Sequence, residues 1–87
     1  MSWFYQEAKY DFHGHQIAAN LKAGLGTMLF RLYVDGEMVD SVRALMPSRK
    51  IALLRGKLIH NGESHVVEIY YTGNLNIYID GHPYKSN

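Results

Sequence analysis

The tetrapeptides Tyr33-Val34-Asp35-Gly36 and Tyr78-Ile79-Asp80-Gly81 constrain this chain more than any other feature. Each closes a run in which apolar and polar residues alternate. Phe30, Leu32 and Val34 are interleaved with Arg31 and Tyr33, while Leu75, Ile77 and Ile79 are interleaved with Asn76 and Tyr78. A period of two belongs to a strand with one buried face, and Asp-Gly suits the positive φ angles of a type I′ hairpin turn. Upstream, Ile17, Ala19 and Leu21 alternate with Ala18, Asn20 and Lys22, as Val67, Ile69 and Tyr71 do with Glu68 and Tyr70. Placing Asp35 on Asp80, with three residues fewer in the second glycine loop, brings Gly14 onto Gly62 and Ala19 and Leu21 onto Val67 and Ile69. Two related strand–turn–strand units result, at about 8–40 and 57–85, separated by an unrepeated joint at about 41–57.

Two units that each expose one apolar sheet face can bury those faces against each other. The expected fold is therefore all-β, a small antiparallel β-sandwich or barrel of about 7–8 short strands. Turn signals at His13-Gly14, Gly24-Leu25-Gly26, Asn61-Gly62 and Gly73-Asn74 space the strands accordingly. The best helical candidate, Asp40 to Met46, is stopped by Pro47 and lacks a cap. Ile51-Ala52-Leu53-Leu54 is apolar on both faces and reads as a central strand or a short buried helical turn; the extended run onward to Asn61-Gly62 favours the strand. The chain of 87 residues has room for one domain, and its hydrophobic fraction of 47% is enough to build one core.

The order Phe12-His13-Gly14-His15-Gln16-Ile17, a glycine loop at Gly24 to Gly26, then Leu32-Tyr33-Val34-Asp35-Gly36-Glu37 resembles the repeated unit of the Fas apoptotic inhibitory molecule family. The second half matches through Asn61-Gly62-Glu63-Ser64-His65-Val66-Val67 and Ile77-Tyr78-Ile79-Asp80-Gly81. The resemblance spans about 60% of the chain and rests on hairpin chemistry shared by many β proteins. It implies an all-β fold and a non-enzymatic interaction role. The Trp that such units carry at the start of each first strand is matched only by Trp3.

Catalytic chemistry finds little support. There is no cysteine, no serine in a nucleophile-elbow context, and no glycine loop followed by a helix to cradle phosphate. The expectation is a non-enzyme without a cofactor. His13 and His15 share a strand face and could chelate together, and His60 and His65 on the equivalent hairpin could complete a site if the two turns met. Polar residues beside glycine turns are expected in any case, so the favoured reading is exposed turn histidines and no metal.

Charge gives a sharper pointer. The net charge is +1, yet Arg43, Arg49, Lys50, Arg55 and Lys57 lie in a stretch from 41 to 61 that contains no acid. Tyr33, Tyr70 and Tyr78 point outward from their strands, and Trp3 belongs to an aromatic triplet that cannot all face one core. Tyr and Arg are favoured at interfaces. These nine residues form the expected partner-binding set, for another protein or a second copy of the chain. Nucleic acid is the alternative, since cations and stacked aromatics serve there too, although the pI of about 8.0 is modest for that role. No membrane-spanning run and no secretory leader pattern are present, so a cytoplasmic location is expected.

Overall fold

Four tight turns set the architecture. His13-Gly14, Asp35-Gly36, Asn61-Gly62 and Asp80-Gly81 each place two successive residues at positive φ, the signature of the type I′ hairpin turn whose twist matches that of its strands. The computed structural model describes residues 4–85. The strands are β1 (Phe4–Phe12), β2 (His15–Gly24), β3 (Thr27–Val34), β4 (Glu37–Ala44), β5 (Leu54–His60), β6 (Glu63–Tyr71), β7 (Leu75–Ile79) and β8 (His82–Tyr84). They form two antiparallel meanders, β1-β2-β3-β4 and β5-β6-β7-β8. The expected all-β sandwich of about eight strands is what the chain builds.

The core lies between the sheets and follows the alternation read from sequence. Ile17, Ala19, Leu21, Phe30, Leu32 and Val34 from the first sheet meet Leu54, Leu58, Val67, Ile69, Leu75, Ile77 and Ile79 from the second. Strands β3 and β4 lie over β5, while β1 and β2 lie over β7. Two polar side chains stitch the sheets together. Asp40 Oδ2 accepts the Arg55 backbone N–H at 2.9 Å, and Gln6 Oε1 accepts that of Leu75 at 2.6 Å. Both bonds occupy backbone donors at the beginning of a strand, where the ladder leaves them unpaired.

The joint differs from expectation in two respects. Asp40 to Ala44 is strand, because Val42 and Ala44 pair with Phe30 and Met28 and so continue the first sheet. Conversely, Ile51, Ala52 and Leu53 precede the ladder, and β5 begins only at Leu54. The first unit thus runs from Phe4 to Ala44 and the connecting segment is residues 45–53. A register shift between Leu32 and Tyr33 marks a bulge opposite Val39. That bulge lays the still-exposed Val39 against Gly56, where a Cβ would sit 2.8 Å from Val39 Cγ2 and 3.2 Å from Leu32 Cδ2.

The repeat is real but slipped by two residues from the sequence alignment. Val34 pairs with Ile17 and Ile79 with Val67, so Ile17 and Ala19, not Ala19 and Leu21, correspond to Val67 and Ile69. A slip of two leaves every side chain on its own face, which is why the inward set was legible despite it. The difference is absorbed by the β5–β6 hairpin. His15 pairs with Phe12, directly before the turn, but the corresponding His65 pairs with Leu58, and the hairpin runs on to His60 opposite Glu63.

Candidate functional site

The first sheet presents a mixed basic and aromatic outer face. Pairing sets Tyr5, Lys22, Leu29 and Arg43 in one row across its four strands, and Glu7, Asn20, Arg31 and Ser41 in the next. A third row holds Lys9, Ala18, Tyr33 and Met38. At the end of this face nearest the β2–β3 turn is an open depression of about 420 Å³, lined by Lys22, Gly24, Leu25, Thr27, Leu29, Arg31 and Arg43. Its lining carries three cations, one hydroxyl and two leucines, and no carboxylate. Leu25 at the turn tip is 79% exposed. Such a surface offers charge-assisted hydrogen bonds to carboxylates or phosphates beside an apolar floor.

The second sheet's outer face is built differently. Arg55 stands opposite Glu68 and its Nη2 donates to Glu68 Oε2 at 2.8 Å, so this cation already has its counter-ion. Tyr70 and Tyr78 pack on each other with ring centres 4.9 Å apart. Lys57 lies opposite Val66.

The expected partner-binding set therefore does not form one surface. Tyr33 and Arg43 lie on the outer face of the first sheet; Arg55, Lys57, Tyr70 and Tyr78 lie on the opposite side of the molecule. Arg49 and Lys50 belong to the connecting segment, and Trp3 falls outside the described residues. Tyr33 and Tyr78 are equivalent by repeat, but two units packed face to face turn equivalent outward positions away from each other. Sequence reasoning missed Lys22 and Arg31. The signal for them was present: both alternate with buried neighbours, and the same phase that placed Tyr33 outward places Arg31 beside it.

A second cluster forms where the β1–β2 and β5–β6 turns meet. His13 and His60 stack with ring centres 4.9 Å apart and planes within 9°. His15 meets His60 edge-on at 5.4 Å, and Phe12 meets His65 at 5.0 Å. His15 Nδ1 is 2.8 Å from Asp35 Oδ2, while the Gln16 N–H donates to Asp35 Oδ1 at 2.9 Å. The second unit repeats the device. His65 Nδ1 is 2.6 Å from Asp80 Oδ2, and the Val66 N–H donates to Asp80 Oδ1 at 3.0 Å. The aspartate of each Asp-Gly turn is thus also a clamp on the neighbouring strand. The histidines do not stand apart as isolated turn residues, although among the described residues no three metal-ligating side chains form a ready-made coordination shell.

These clamps predict an acid response. The histidine hydrogen bond, then the backbone N–H, hold both Asp35 and Asp80 below the ordinary carboxylate value of 3.8. Their contribution to stability is fully present above that value and is lost as pH falls through the lower folded values. Urea unfolding between pH 6 and pH 2.5 is expected to lose more stability on acidification in the wild type than in an Asp35→Asn, Asp80→Asn double variant. Because both carboxylates are about half exposed, the difference shrinks with added salt.

Compared with known proteins, the chain matches no protein-family model, no curated sequence and no solved structure.

Proposed function

We propose that the protein is a non-catalytic binding module that engages an acidic segment of a partner protein through the outer face of the β1–β4 sheet. The observation that carries this reading is the depression lined by Lys22, Arg31 and Arg43 with no acid in its wall. Cations presented on a rigid sheet complement carboxylates without an ordering cost for the backbone beneath them. Tyr33 and Met38 extend the same face with apolar area, and Tyr and Arg together are the composition that dominates binding energy at interfaces. The family resemblance of the repeat, with its implied interaction role, agrees with this assignment, as does a cytoplasmic setting.

Fluorescence anisotropy with a labelled glutamate-rich peptide tests it. Replacing Arg31 and Arg43 by glutamate is expected to weaken binding by about tenfold or more, whereas Arg55→Glu on the other face leaves it unchanged. Equal affinity in both variants refutes the assignment. A labelled single-stranded oligonucleotide distinguishes the nucleic-acid alternative, which requires tight binding that falls steeply with salt. Self-association is favoured by a different observation, the exposed Leu45, Met46 and Ile51 of the connecting segment. Light scattering that returns a dimer, lost on changing those three to serine, would support that second reading.

A further inference from the structure

We propose that β1 is an intermolecular edge: two copies of the chain pair antiparallel through it, Ala8 opposite Ala8, so that their β1–β4 sheets become one. This surface is distinct from the basic depression, and the inference does not depend on the acidic-partner reading. It starts from how the sheets end. Their edges are β1, β4, β5 and β8. β8 has three residues and contains Pro83, which has no N–H to offer a neighbour. β4 is broken by the bulge at Val39, and its Asp40 is bonded across to Arg55 of β5. β5 in turn has Gly56 against Val39. Short length, proline, a bulge and a covering strand are the ordinary means of closing an edge. β1 uses none of these: its nine residues pair with β2 without a register shift.

The backbone phase of β1 follows from that pairing. Gln16 donates its N–H to Asp35 Oδ1 at 2.9 Å, and its carbonyl accepts the Asp35 N–H at 2.8 Å, so both groups face the β3 side. Asp11, opposite Gln16, therefore turns its own N–H and carbonyl away from β2. By alternation Lys9, Glu7 and Tyr5 do the same. Among the described residues, no backbone bond reaches Tyr5, Glu7 or Asp11 from that side.

Charge selects the partner and the register. A strand that pairs with its own copy can slip only in steps of two if its buried face is to stay inward. With Ala8 at the centre, Glu7 of each copy stands opposite Lys9 of the other, and Tyr5 of each opposite Asp11, a carboxylate that accepts from a phenol. Within one strand Lys9 Nζ already lies 3.8 Å from Glu7 Oε1, so pairing converts that couple into an alternating square of charges. On the inner side Phe4, 48% exposed in the single chain, comes beside Phe12 of the second copy. Slipping one way sets Glu7 opposite Glu7; slipping the other way sets Lys9 opposite Lys9 and Glu7 opposite Asp11. Both put like charges in direct opposition. Charged side chains also serve to guard edges, but these are self-complementary in one register and repulsive in the two beside it. The two-fold pairing leaves the bulged β4 at both ends of the joint sheet, so the assembly closes at two copies.

Sedimentation of the full chain from micromolar to millimolar concentration at low salt tests the proposal, together with amide hydrogen exchange read by NMR. A dimer is expected, in which the Tyr5, Glu7 and Asp11 amides exchange more slowly than in dilute protein. Lys9→Glu sets glutamates against each other at both positions and is expected to raise the dissociation constant by at least about tenfold. Adding Glu7→Lys to it restores the complement and most of the affinity. Changing Leu45, Met46 and Ile51 to serine leaves the dimer intact. A strict monomer at millimolar concentration, wild-type dimerisation in Lys9→Glu, no recovery in the charge-exchanged variant, or loss in the triple serine variant would each overturn the assignment. The wild-type exchange pattern decides the matter even where a variant fails to fold, since a dimer that leaves those three amides unprotected refutes it.

Discussion

Phe30→Ala is expected to lower the stability of the fold by about 3–5 kcal/mol. Phe30 is completely buried, lies between Leu21 and Val42 in the sheet, and meets the edge of Tyr71 from the opposite sheet at 5.4 Å. It is the largest fully buried side chain among the described residues. Truncating a buried phenylalanine costs about 3–5 kcal/mol, of which the cavity term grows when rigid strands cannot close in. A domain of this length has about 4–13 kcal/mol in total, so the loss takes a large part of the whole. Phe30→Leu keeps most of the volume and is expected to cost less than about 1.5 kcal/mol. Urea unfolding monitored by far-ultraviolet circular dichroism measures both. Equal midpoints for the two variants would mean that the sheets do not pack through this ring.

The second large effect comes from a residue with no side chain. Gly56→Ala is expected to destabilise by about 1–3 kcal/mol, the usual cost of forcing a methyl group into a filled space. Its Cβ would collide with Val39, a β-branched side chain with little freedom at χ1, and would press on the buried Leu32. Val39→Ala removes the nearest obstacle. The double variant Gly56→Ala, Val39→Ala should therefore recover a large share of the loss, giving a favourable coupling energy in a double-mutant cycle. Strict additivity would show that Gly56 is needed for some other reason than the approach of β4.

The fold was legible because its signals are local. Alternation identified the inward faces of β2, β3, β6 and β7, and paired Asp-Gly and Asn-Gly steps located the turns. Both depend only on neighbours in sequence. What escaped was whatever depends on how the sheets meet. The apolar Ile51-Ala52-Leu53 reads like strand, yet only Leu53 reaches β6, donating its N–H to the Ile69 carbonyl at 2.8 Å, and β5 begins at Leu54. Asp40 to Met46 reads at best as an uncapped helical candidate stopped by Pro47, and the place of Asp40 to Ala44 in β4, just beyond the bulge at Val39, depends on the pairing with β3. The candidate surface was only half legible. Basic residues close in sequence, such as Arg43 and Arg55, ended on different faces, while Lys22, Arg31 and Arg43, spread over three strands, were gathered into one depression. The clamp role of Asp35 and Asp80 was hidden behind their turn role, since a turn needs only the backbone of the aspartate and the clamp uses its carboxylate.

The plain meander order of each sheet also governs how the chain can assemble. Every strand pair joins segments adjacent in sequence, so each ladder can zip from its own turn without waiting for a distant partner. The docking of the two sheets, with the Asp40 and Gln6 bonds, is the principal non-local step. For an all-β protein this is a low contact order, and the rate of folding should accordingly be fast for its class. Its limiting event would be the collision of two preformed sheets across the 45–53 tether.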